Sequence, residues 1–99
     1  MPLSYYEKKV FTRAEGILKY CVLSNPKYEW STDAEGSRVL TFYFKPKTPE
    51  PALMRAVEVM CQAFRKAKAS LGETTFKLTD GGFVKIQSIA IAFEKKEAA

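Results

Sequence analysis

Residues 27–45 read KYEWSTDAEGSRVLTFYFK, and the five residues in the middle of this stretch decide how the chain around them is read. Lys27–Thr32 and Arg38–Lys45 are rich in aromatic and β-branched side chains, which suit a pleated, half-buried surface. Between them Asp33-Ala34-Glu35-Gly36-Ser37 is turn chemistry: aspartate and serine bond to nearby backbone, and glycine accepts positive φ. Two strands and a short connection predict an antiparallel hairpin. In the second strand Leu40, Phe42 and Phe44 alternate with Val39, Thr41 and Tyr43, so one set faces a core and the other faces away.

Upstream of the hairpin the period changes from two to 3.6. Ser4-Tyr5-Tyr6-Glu7 matches a capping box, and Tyr6, Val10, Phe11, Ala14, Ile17, Leu18, Cys21 and Val22 share one face of a helix expected over Leu3–Ser24. Asn25-Pro26 closes it, because the residue before proline avoids the helical region. A strand over Ile17–Leu23 is the competing reading. Downstream, Thr48 can cap a second helix, with Pro49 and Pro51 in its first turn. Leu53, Val57, Met60, Phe64, Ala67 and Leu71 recur at steps of four and three, and Gly72 supplies a left-handed stop. Thr74–Thr79 and Phe83–Phe93 then flank Asp80-Gly81-Gly82, a second hairpin signal. Residues 94–99 read as a charged, frayed tail.

The order α-β-β-α-β-β makes this an α+β chain, read as one domain over 1–99 with halves of roughly 1–47 and 48–96. The halves echo each other: Ser31-Thr32-Asp33 precedes one turn and Leu78-Thr79-Asp80 the other, at an offset of 47 residues. Two such units predict a four-stranded antiparallel sheet with two helices packed on one face.

Composition narrows the function. The chain has 99 residues and no histidine, which removes the commonest general base and the commonest metal ligand. Ser-His-Asp and Cys-His arrangements are excluded. Two cysteines, Cys21 and Cys61, are too few for a disulfide framework and are not at C-x-x-C spacing; both are expected as buried thiols packed like small hydrophobes. No phosphate-binding glycine loop is present. Removal of Met1 would expose Pro2 as a secondary amine, but a capped helix begins almost at once, where a strand and a pocket would be wanted. No catalytic residue, cofactor or metal is expected. No apolar run approaches the roughly 20 residues that span a bilayer, and no signal peptide opens the chain, which together point to a cytoplasmic protein.

What remains is binding. With Leu40, Phe42 and Phe44 turned to the helices, and with Ala90 and Ala92 suited to close helix packing, the open sheet face is expected to carry Tyr28, Trp30, Val39, Tyr43, Ile89, Ile91 and Phe93. That set is too apolar for a solvated face and reads as a contact surface. Three uses follow: a homodimer through the sheets, a platform on which single-stranded nucleic acid stacks, or a face for another protein. The net charge of +5 is spread along the chain as +2 over residues 1–24, +1 over 25–47, +2 over 48–72 and zero over 73–99. For nucleic acid, Lys45, Lys77 and Lys85 would contact phosphates, with Arg65, Lys66 and Lys68 as the densest basic cluster. Cations near a helix C-terminus also complement the helix dipole and need no partner for that.

Overall fold

The computed structural model describes residues 3–23 and 26–94. The elements run α1 (Tyr5–Cys21), β1 (Lys27–Thr32), β2 (Arg38–Tyr43), α2 (Glu50–Ala63), β3 (Ala67–Lys77) and β4 (Phe83–Phe93). This is the expected α+β order. The four strands form one antiparallel sheet, ordered β1-β2-β4-β3, so each hairpin contributes one central and one edge strand.

Local chemistry starts the first helix. The Ser4 hydroxyl accepts from the Glu7 N–H at 3.1 Å, and the Glu7 carboxylate accepts from the Ser4 N–H at 2.8 Å, closing the predicted capping box. Each helix then lays a large–small–large stripe on the sheet: Val10, Ala14 and Leu18 from α1, and Leu53, Ala56 and Met60 from α2. These meet Leu40, Phe42, Ile89 and Ile91 of the central strands in one continuous core. The two halves join along β2 and β4, where Leu40 lies opposite Ile91 and Phe42 opposite Ile89. Exchanging the halves leaves that pairing unchanged, as a quasi-twofold axis between the central strands requires.

Both hairpins turn the same way. Asp33 N–H donates to the Ser37 carbonyl and Gly36 N–H to the Asp33 carbonyl; Leu78 with Gly82, and Gly81 with Leu78, repeat these bonds. Gly36 (φ 85°) and Gly81 (φ 90°) occupy the same left-handed position. The halves therefore match Asp33 to Leu78, not to Asp80 as the sequence echo suggests. Aspartate still serves each turn. Asp33 Oδ1 accepts from Glu35 and Ser37, and Asp80 Oδ1 from Gly82.

The second helix is shorter than its periodicity predicts. It ends at Ala63, and Ala67–Leu71 begins β3. In this stretch both periods fit: Ala67 and Leu71 complete a helical seam, but together with Ala69 they also alternate with Lys68 and Ser70. Pairing decides, since every residue from Ala67 to Lys77 finds a partner on β4, from Phe93 to Phe83. Gly72 lies inside this strand with no positive φ, so it is no helix stop. The cap differs too. Pro49 is the N-cap with no side-chain bond, while the Thr48 hydroxyl donates back to the Lys45 carbonyl. The first helix also ends earlier than expected, at Cys21. The proposed stop at Ser24 and Asn25, the tail from Lys95 and the Pro2 amine lie outside the described residues. No helix among the described residues is long and apolar enough to cross a membrane.

Candidate interaction face

Antiparallel partners that sit opposite each other share a face of the sheet. Tyr28 lies opposite Phe42 and Trp30 opposite Leu40, so both aromatics of β1 join the helix side. The Phe11 ring of α1 packs against them, 4.7 Å from Tyr28 and 6.1 Å from Trp30, centre to centre. Ile89 and Ile91 follow Phe42 and Leu40 into the core at 0% exposure, and Phe93 at 7% stacks on Trp30. Five of the seven residues expected on the open face thus lie on the other one, leaving Val39 and Tyr43.

The cause is the role given to alanine. Ala90 and Ala92 are on the open face, and the large aliphatics of β4 fill the space beneath the helices. The small residues that let the helices close down are instead Ala14 and Ala56 on the helices and Ala67 and Ala69 on β3, all buried. A one-residue choice of parity in β4 exchanged Ile89, Ile91 and Phe93 for Val84, Ile86, Ala90 and Ala92. The turn carried the missing signal: with Asp33–Ser37 closing the loop, Thr32 pairs with Arg38, which sets Trp30 opposite Leu40.

The open face that results is still apolar along its centre. β2 contributes Val39, Thr41 and Tyr43, and β4 contributes Val84, Ile86, Ser88, Ala90 and Ala92. Charges enter only at the edges, as Lys27 and Glu29 on β1 and Lys68 on β3. The Tyr43 hydroxyl donates to the Glu29 carboxylate at 3.0 Å, which ties up the one acid. Burial, then that hydrogen bond and the carboxylate's charge, raise the Tyr43 phenol above its ordinary value.

Beyond the end of β2 the second hairpin continues alone. Tyr43 is opposite Ser88, and from Thr74 to Lys77 and Phe83 to Ile86 the β3–β4 ladder has no further strand beside it. This arm helps stretch the protein to 50 Å in its longest dimension. Its polarity is the reverse of the body's. On the helix side the arm and its root carry Glu73, Thr75, Lys77, Lys85 and Gln87, with Phe83 at the tip as the apolar exception. On the open side are Thr74, Phe76, Val84 and Ile86. Phe76 is 42% exposed, and its ring meets Tyr43 edge-on at 6.3 Å. The strip therefore runs from the arm across the open face of the body, uncharged along its centre and broken only by the small hydroxyls of Ser88 and Thr41.

The predicted phosphate contacts do not surround this strip. Lys77 and Lys85 are on the arm's other side, where Lys85 pairs with Glu73 at 3.7 Å. Lys45 lies in the connection after β2, near Glu73 and Lys85. Lys68 is at the β3 edge of the open face, while Arg65 and Lys66 sit at the α2–β3 connection. The cysteines also differ from expectation: Cys21 is half-buried against the core, but Cys61 is exposed, one step off the helix seam, with its thiol toward the Ala69 carbonyl at 3.4 Å. Among the described residues no three His, Cys, Asp or Glu side chains converge as a metal site. Comparison with protein-family models, with curated proteins and with solved structures returns no match.

Proposed function

We propose that this chain is a non-catalytic binding protein that pairs with a second copy of itself through the open sheet face. The observation that carries this reading is the reversed polarity of the arm. An arm with water on both sides has no reason to gather Phe76, Val84 and Ile86 on one of them; an arm covered on that side does. Two further features favour a second copy as the cover. The centre of the face has no charge, so two copies can meet there without bringing like charges directly together. Its size also suits: four strands spaced about 4.8 Å and rising about 3.3 Å per residue present roughly 540 Å² of flat area. Side-chain relief brings this toward the about 800 Å² per partner of a standard interface.

Sedimentation velocity across the micromolar range tests the proposal. The wild type should sediment as a dimer, and Ile86→Lys, which places an unpaired ammonium in the interface, should weaken pairing at least about 100-fold. A wild type that stays monomeric at hundreds of micromolar would refute self-pairing. The apolar strip would then belong to a different protein, which is the second reading that an uncharged face supports.

A further inference from the structure

On the opposite side of the molecule a second surface has the complementary character. A cleft of about 920 Å³ opens between the first half of α1 and the connection from α2 to β3, and five cations line it: Lys8, Lys9, Arg13, Arg65 and Lys66. No carboxylate is among its lining residues. Glu7, the acid in the first turn of α1, is turned elsewhere: its carboxylate accepts from the Ser4 N–H and pairs with Arg38 at 2.6 Å. None of the five cations makes an ion pair among the described residues. Five of the chain's 16 Lys and Arg residues, from two segments distant in sequence, are thus gathered in one cleft.

The cleft is also built. Its floor includes Phe64, a core residue, and the Lys66 N–H donates to the Tyr6 hydroxyl at 3.2 Å, which pins the connection to α1. The Tyr6 ring in turn packs edge-on against Phe93. At the rim the Tyr5 ring is 77% exposed, with the Lys9 ammonium over one of its faces, 5.2 Å from the centre, so a base that stacks on that face would take the place of Lys9. An exposed ring beside cations that form no ion pair matches the needs of a ligand with alternating bases and phosphates: a flat face for stacking and positive charge along the backbone.

From this juxtaposition we infer that the cleft binds single-stranded nucleic acid, with Tyr5 as a stacking platform and the five cations as phosphate contacts. A duplex hides its base faces, so it would use the charge and not the ring. Because the cleft is on the helix side, it stays open whether or not the sheet face is paired, and the two proposals stand or fall separately.

Fluorescence polarisation of the full chain with a labelled single-stranded 12-mer, and with the duplex of the same sequence, provides the test. The single strand should bind at least tenfold more tightly than the duplex. Tyr5→Ala should lose about 5- to 150-fold with the salt dependence unchanged, and Tyr5→Phe should keep the affinity, since the phenyl face still stacks. Arg13→Ala should flatten the plot of log affinity against log salt by about 0.7, the share of one phosphate on a single strand. Circular dichroism melts of each variant should match the wild type, because both side chains are exposed. Equal affinity for duplex, indifference to Tyr5→Ala, or a larger loss from Lys77→Ala than from Arg13→Ala would overturn the inference.

Discussion

The two αββ halves share their turns, their helix stripes and their place about the quasi-twofold axis, and they part company in one respect. β1 and β2 are six residues each, whereas β3 and β4 are eleven. The first hairpin ends at Arg38, which pairs with Glu7 in the first turn of its helix. The second runs on, and in the extra length its apolar residues change sides. Shared features are those that build the core; the unshared one is not needed to build it. The difference separates what builds the core of this chain from the surface proposed to meet a second copy.

Substitution in the shared part should have the largest effect. Phe42 is buried between Phe11 and Tyr28, and Phe42→Ala should cost about 3–5 kcal/mol, a large part of the stability of a small domain. Chemical denaturation would show it, and a midpoint near the wild-type value would break the assignment of the core. Removing the overhang should leave the core intact. Deleting residues 74–77 together with 83–86 leaves Glu73 opposite Gln87 and keeps the Leu78–Gly82 turn. This shortened chain should melt cooperatively, yet self-associate at least about 100-fold more weakly, a change of about 2.7 kcal/mol. Unfolding on deletion would show that the arm belongs to the fold after all.

Smaller effects follow at single contacts. Ser4→Ala removes one partner of the capping box and should cost about 1 kcal/mol, read from the same denaturation curves. The smallest concerns Tyr43. Its phenol titrates higher in the folded protein than the unfolded value near 10, so the contribution is complete below that pH. It is lost as pH rises through the folded value. Wild type should therefore lose stability in strong alkali relative to Tyr43→Phe, and parallel pH profiles for the two would contradict the Glu29 contact.

Much of the fold was legible because turns and caps act locally. The capping box at Ser4 and Glu7, both hairpin turns, and the alternation of Leu40, Phe42 and Phe44 each depend on residues within a few positions of one another. What was not legible depends on partners distant in the chain. Ala67–Leu71 satisfies two periods, and only the β4 ladder selects the strand. Ile89, Ile91 and Phe93 alternate cleanly, but alternation alone does not say which set faces the helices; the pairing with Phe42 and Leu40 does. The basic cleft was hidden for the same reason. Lys8, Lys9 and Arg13 are more than 50 residues from Arg65 and Lys66 in sequence, and the Tyr6–Lys66 contact brings the two groups together.

The central claim, that the open face is where two copies meet, is tested most directly by isotope-filtered NMR on an equal mixture of labelled and unlabelled protein. Only contacts between copies survive the filter. Cross-copy signals are expected at Phe76, Val84, Ile86, Val39 and Tyr43, and none at Leu18, Leu53 or the other side chains buried beneath the helices. Absence of cross-copy signals at millimolar concentration, or signals confined to α1 and α2, would contradict it.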